Sequence, residues 1–257
     1  MTGQGDKGVN YVSYLALDEL LSLQRAHSKP EHPDELLFIV VHQASELWFK
    51  VIRSDIDALI DAMEQFEAGP AFWHLQRINA LMRIVSQQLS SLDTLPPQHF
   101  AEFRGYLGTS SGAQSLQFRA IEAASGLRDE TFMHALSERG EIPEMVSRAL
   151  ARPTLQSLIL ALVDHEGLTL DELYTGPGPG ILFFLAEALL EYEQLFAEWR
   201  FKHVQLVERI IGPMTGGTGG TLGSNYLQRS VNQRFFPALW EVRGRLFRGE
   251  GAEKRAE

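Results

Sequence analysis

The 257-residue chain contains no cysteine. That absence removes disulfides, thiolate catalysis, cysteine-ligated zinc or iron–sulfur sites, and haem attached through a CxxCH motif. It also suits a reducing cytoplasm. Positive charge is scarce: 23 Lys and Arg stand against 33 Asp and Glu, for a formal net charge of -10. Without surplus cations to neutralise phosphates, neither nucleic acid nor an anionic membrane is expected as a partner. The opening residues MTGQGDKGVN are polar and lack an apolar signal core, and no uncharged apolar run approaches membrane-spanning length. The expected location is the cytoplasm. No stretch shows the period-two alternation of a sheet, and no unit of fixed length recurs. Proline and glycine gather at breaks such as Gly69-Pro70, Pro96-Pro97 and the TGPGPG at 175–180.

What is present is apolar content, 44% hydrophobic, arranged with helical periodicity. The expected fold is all-α, a helical bundle forming a single domain over residues 11–247, between a flexible N-terminal tail (1–10) and a polar C-terminal tail (248–257). From Tyr11 a short amphipathic helix is expected, with Tyr14, Leu17, Leu20 and Leu21 inward. Tyr11 and Tyr14 share a face, and packing is their ordinary role. Asp34 is expected to cap a helix running to about Gln65, buried all round at its opening run LLFIVV. Its seam reads Phe38, His42, Ser45, Phe49, Ile52, Ile56, Leu59 and Met63, so it lines a cavity or a polar pocket. A further helix carries Leu75, Ile78, Met82, Val85, Leu89 and Leu92 on one stripe. Phe100, Phe103 and Arg104 open a short helix that Gly108 to Gly112 break. Short helices punctuated by Pro143 and Pro153 follow, with no discernible chemistry. A long helix then shows Leu182, Leu185, Leu189, Tyr192, Phe196, Trp199, His203, Leu206 and Ile210 in steps of three and four. A last helix spans roughly Ser230 to Phe247, with Val231, Phe235, Leu239, Val242 and Leu246 inward.

Two features break the apolar pattern. His42 and His203 each occupy a seam position where leucine would be expected. A histidine in such a place is ordinarily a hydrogen-bonded core residue. Arg104 has the ordinary reading of a surface ion pair. Flanked by phenylalanines beside a Gly/Ser-rich break, it is also a candidate for gripping a carboxylate, because its planar fork matches two oxygens. The loop with Gly216, Gly217, Gly219, Gly220 and Gly223 follows a helix C-terminus and lacks the GxxxxGK[ST] spacing, so it reads as backbone that turns tightly or moves. A catalytic zinc needs three protein ligands and a di-iron bundle needs inward Glu-x-x-His motifs; neither appears. An isolated histidine in an apolar helical slot suits axial ligation of haem, which ranks above any other single cofactor.

The segments YVSYLALDELLSLQ, HPDELLFIVVHQASELWFK, FRGYLGTSSGAQSLQFRAIE and WRFKHVQLVERIIG…GTGGTLGSNYL resemble, in order and spacing, those of the tryptophan 2,3-dioxygenase family. The resemblance runs from Tyr11 to about Trp240. It implies an all-helical homotetramer holding one non-covalent haem b per subunit between core helices, which adds O2 across the indole C2–C3 bond of L-tryptophan to give N-formylkynurenine. It implies that His203 is the axial ligand of the haem iron and that the catalytic His42 lies near the indole N–H. Phe38 and Phe100 would wall the indole and Arg104 anchor the substrate carboxylate. Thr218 would hold the amino-acid end, and Ser111 would supply a hydroxyl to substrate and cofactor. Tyr11, Tyr14 and Leu15 would reach into a neighbouring subunit's site. Ala113 stands where the family usually has phenylalanine, and Thr221 and Leu222 replace two serines. These departures leave room for a substituted tryptophan and a mono- or dioxygenase outcome. A haem sensor or carrier without catalysis is the alternative of another class.

Overall fold

The computed structural model describes residues 9–128, 133–134, 140–176, 178, 180–213 and 231–248, with the backbone alone at Ala113. The tails beyond residues 9 and 248, and the glycine-rich loop with Thr218, Thr221 and Leu222, lie outside the described residues. Among the described residues every regular element is helical, and no helix is long and apolar enough to cross a membrane.

Three long helices form the frame: α3 (Pro33–Glu64), α4 (Ala68–Leu89) and α10 (Ile181–Ile211). The helix α4 lies between the other two and packs extensively on both. Phe49, Ile52, Ile56, Leu59 and Met63 of α3 meet Leu75, Ile78, Met82 and Val85 of α4 and Leu185, Leu189, Tyr192 and Phe196 of α10, all buried. A 3-10 turn, Ser90–Thr94, continues the α4 stripe to Leu92. The short α5 (Pro97–Arg104) and α6 (Leu116–Ser125) lie against α3, and α6 packs on α7 (Glu144–Ala151). Next come α8 (Leu155–His165) and α9 (Leu170–Thr175), and α11 (Pro237–Arg248) closes the chain.

Several expectations are corrected. The N-terminal segment is two single turns, α1 (Tyr11–Tyr14) and α2 (Leu17–Leu20), broken at Ala16 with φ 47°. A capping box between Asn10 and Ser13 starts the first turn, but neither turn buries a residue, so nothing stabilises a longer helix. The α3 cap is His32, not Asp34: His32 Nδ1 accepts the Asp34 N–H at 3.2 Å, and Pro33 takes the first helical position. The LLFIVV run is not buried all round, since Leu36 is 53% and Val40 43% exposed. Both line the large cavity described below. The last helix begins at Pro237 rather than near Ser230. The backbone N–H groups of Phe235 and Phe236 turn instead to the buried carboxylate of Glu193 on α10, at 2.5 and 2.8 Å.

The core is in two parts. A second cluster, Val41, Leu89, Leu92, Leu95, Phe100, Phe103 and Leu206, sits at one end of the bundle, and Trp199 packs against both parts. The site lies between them.

Candidate functional site

Two adjoining chambers occupy that gap. The larger, about 1060 Å³, is bounded by α3, α6 and α10. The smaller, about 660 Å³, is bounded by α3, α5, α10 and the 110–115 segment. His42 and His203 line both. Volumes of this size suit a bound organic molecule.

Burial determines the state of each imidazole. Desolvation, with the nearby His42, pushes the His203 pKa down to about 4, so the ring is neutral at pH 7. Its ring lies 5.4 Å from Trp199, and it makes no hydrogen bond among the described residues. His42 presents surface, but that surface is chamber wall, and desolvation still lowers its pKa against the opposing pull of the Phe38 carbonyl and Glu46. His42 Nδ1 lies 2.7 Å from the Phe38 carbonyl oxygen. A carbonyl only accepts, so Nδ1 carries the proton and Nε2 keeps a lone pair.

The other expected site residues divide. Phe38, Phe100, Arg104 and Ser111 line the smaller chamber with the two histidines. Phe38 is 4.3 Å from the His42 ring and 5.5 Å from the Phe100 ring, so the three form a continuous aromatic wall. Pro97 at the start of α5 and the 3-10 turn Gly105–Leu107 after it confine Arg104 to the end of a short, rigid helix. Tyr11, Tyr14 and Leu15 line neither chamber and are 73%, 76% and 39% exposed. Thr218 lies outside the described residues.

Other polar groups at the chambers were not singled out by the sequence. Glu46, one turn after His42, is held by the Gln117 amide, which donates to its carbonyl at 2.7 Å and its carboxylate at 3.0 Å. Glu35 is fully buried and accepts from the N–H groups of His27 and Ser28 at 2.8 and 3.0 Å. Burial raises its pKa, but these bonds and the Ser28 hydroxyl outweigh burial and the carboxyl is net lowered. Arg119, Glu122 and Arg200 form an ion cluster on the larger chamber. The sequence did carry a signal for it: Arg119 and Glu122 are three apart on α6, and Arg200 is three before His203.

Among the described residues no three His, Cys, Asp or Glu come together to hold a metal. The larger chamber beside His203 is lined mainly by apolar residues.

The tryptophan 2,3-dioxygenase family model matches residues 2–169 and 165–246. The chain is 38% identical over 262 residues to a tryptophan 2,3-dioxygenase of Nocardioides sp., covering 94% of this chain and 97% of that protein. It is 38% identical over 267 residues to that of Bacillus anthracis, covering 93% and 94%. For the tryptophan 2,3-dioxygenase of Caulobacter vibrioides the identity is 37% over 263 residues, covering 93% and 98%. A family model spanning nearly the whole chain, and relatives alike along nearly their full length, make the two-histidine bundle a member of the tryptophan 2,3-dioxygenase family.

Proposed function

We propose that the protein is a haem-dependent dioxygenase that cleaves the indole C2–C3 bond of L-tryptophan with O2 to give N-formylkynurenine. The observation that carries this reading is the neutral His203 imidazole, without a hydrogen bond among the described residues, on the wall of an apolar chamber of about 1060 Å³. A neutral imidazole is the form that ligates a metal, and an iron atom supplied by a macrocycle would be a partner for this one. The cofactor would be haem b, non-covalent, one per subunit, its iron held by the His203 imidazole. Bound there, haem supplies the activation of O2, chemistry that no side chain here provides.

The residues of the chain bind and orient. Phe38 and Phe100 offer faces against which an indole stacks. Arg104, at the end of α5 on the same chamber, takes the substrate carboxylate through its planar fork. His42 Nε2, unprotonated because Nδ1 is committed to the Phe38 carbonyl, accepts the indole N–H. That bond fixes the ring's orientation and contributes a modest factor. Ser111 supplies a hydroxyl to the same chamber. Thr218 holds the amino-acid end of the substrate from the glycine-rich loop. Tyr11, Tyr14 and Leu15, exposed in the single chain, complete a neighbouring subunit's site in a homotetramer. Residues 11–247 act as one catalytic domain between two tails, in the cytoplasm.

The test is direct. Protein reconstituted with haem b, reduced, and given L-tryptophan and O2 is expected to release N-formylkynurenine, followed at its absorption band. A Soret shift on adding L-tryptophan without that product would favour a substituted tryptophan as substrate. A haem-loaded protein whose spectrum ignores tryptophan would favour a sensor or carrier.

A further inference from the structure

The short helix that carries Phe100 and Arg104 is held from outside itself. Its N-cap is Pro96, which has no side chain to cap it, and a helix of eight residues is marginal alone. Two of its residues reach back to the start of α3. His99 Nδ1 lies 2.7 Å from Asp34 Oδ2, and because a carboxylate accepts, the imidazole donates. His32 Nε2 lies 3.3 Å from Glu102 Oε2. The His32 Nδ1 accepts the Asp34 N–H, so Nε2 carries the proton and donates to Glu102. The pairing is reciprocal: each side supplies one imidazole and one carboxylate. The two rings lie 5.1 Å apart. Beneath them Phe103 is fully buried, 5.5 Å from His32, 5.8 Å from Phe38 and 5.3 Å from Phe100. The α3 side is itself fixed, since the His32 N–H donates to Ser28 Oγ at 2.8 Å and Ser28 donates to the buried Glu35. Just past α5, the Tyr106 hydroxyl donates to the Lys29 carbonyl at 3.0 Å.

We propose that His99 and Glu102, paired with Asp34 and His32, are positioning residues that set the register of α5 and so aim Arg104 at the substrate carboxylate. The assignment rests on the substrate reading above, in which Arg104 takes the carboxylate and Phe100 faces the indole. None of the four lines either chamber, so none touches substrate. His99 and Asp34 are 48% and 33% exposed and Glu102 is 64% exposed, and pairs so open to water add little stability. Their effect is geometric. His99 and Glu102 are three apart on one face of α5, so a slide or turn of the helix breaks both bonds together. Arg104 sits at the end of the same rigid helix, where a small displacement misplaces a bond to substrate. Phe100 is kept by its packing on Phe38 and Phe103 and depends less on the pairs.

The experiment titrates haem-loaded protein, free of O2, with L-tryptophan and with tryptamine, which lacks the carboxylate, following the Soret shift rather than turnover. The double variant His99→Ala, Glu102→Ala is expected to weaken L-tryptophan about three- to tenfold, the order of two exposed ion pairs, and tryptamine less than about twofold. Asp34→Ala leaves α5 untouched and is expected to give part of that loss. The double variant His99→Gln, Glu102→Gln keeps one donor and one acceptor in place and is expected to recover most of the affinity. Far-ultraviolet circular dichroism reads the fold of each variant. L-tryptophan and tryptamine weakened alike overturns the assignment, since that is loss of the pocket and not of aim. So does unchanged L-tryptophan affinity in the alanine variant, no recovery in the glutamine variant, or loss of fold, which would make the pairs structural. Wild type that ignores both ligands, or binds them equally, overturns the substrate reading itself and this assignment with it.

Discussion

At pH 7 the His203 imidazole is neutral because burial removes the water that would stabilise its charged form, and a neutral ring is the form that ligates a metal. His203→Ala is therefore expected to yield folded protein with no bound haem, read as a missing Soret band; a haem-replete, active variant would refute the ligand role. His42 has the opposite profile. Its Nδ1 is tied to the Phe38 carbonyl, which leaves Nε2 for substrate, so His42→Ala is expected to keep haem and lose about tenfold in kcat, the worth of one hydrogen bond. Arg104→Ala is expected to raise KM for L-tryptophan by about 10- to 100-fold, the range for a bond between charged groups. It should change KM for tryptamine, which lacks the carboxylate, far less; equal losses for both would mean that Arg104 only supports the fold. Both histidines were legible in the sequence, because each interrupts an apolar seam at three-four spacing. The Arg119–Glu122–Arg200 cluster was legible only as the three-residue spacing of Arg119 and Glu122, since charges on an amphipathic helix read as solvent face until tertiary packing buries them.

The seam of α3 shows how far periodicity reaches at the scale of one element. From Phe49 to Met63 it packs as its spacing requires. At its other end Leu36 and Val40 border a chamber instead of a neighbour, because an apolar chamber and a packed core demand the same residues. Helix starts were harder to read, since they depend on where a cap finds its acceptor. His32 outcompetes Asp34 for α3 because Pro33 fixes the first turn. The α11 start depends on a residue some forty positions away in sequence. Glu193 accepts from Phe235 and Phe236 N–H, from Arg234 at 2.9 Å and from the Trp240 indole at 2.6 Å. Glu193→Ala strands the buried Phe235 and Phe236 N–H groups, and a loss of about 1–3 kcal/mol for each is expected. Thermal melting checks it, and an unchanged midpoint would mean that α11 is held by packing alone.

For the whole molecule, the frame is pinned where α3 meets α4. Asp55 is buried and takes Arg77 Nε at 2.8 Å and His74 Nδ1 at 3.0 Å. Burial raises its pKa, but the bonds and charges of Arg77 and His74 outweigh burial, and the carboxyl ends below its ordinary value. A lowered folded pKa stabilises the native state above the unfolded value, about 3.9 for Asp, and the contribution is lost as pH falls through the folded value. Asp55→Asn should therefore be less stable than wild type in urea at pH 7, with the gap narrowing below about pH 4; a gap independent of pH would contradict the assignment. The bundle, its long helices and the two-histidine gap are all properties of one chain and were legible in its apolar spacing. The exposure of Tyr11, Tyr14 and Leu15 is not explained by the packing of one chain, and the proposed homotetramer would cover it. The reaction proposed at His203 and His42 is tested most directly by turnover of the reconstituted protein under 18O2 with mass analysis of the product. N-formylkynurenine carrying both labelled atoms from one O2 is the predicted result. A product carrying one labelled atom, or none, would contradict it.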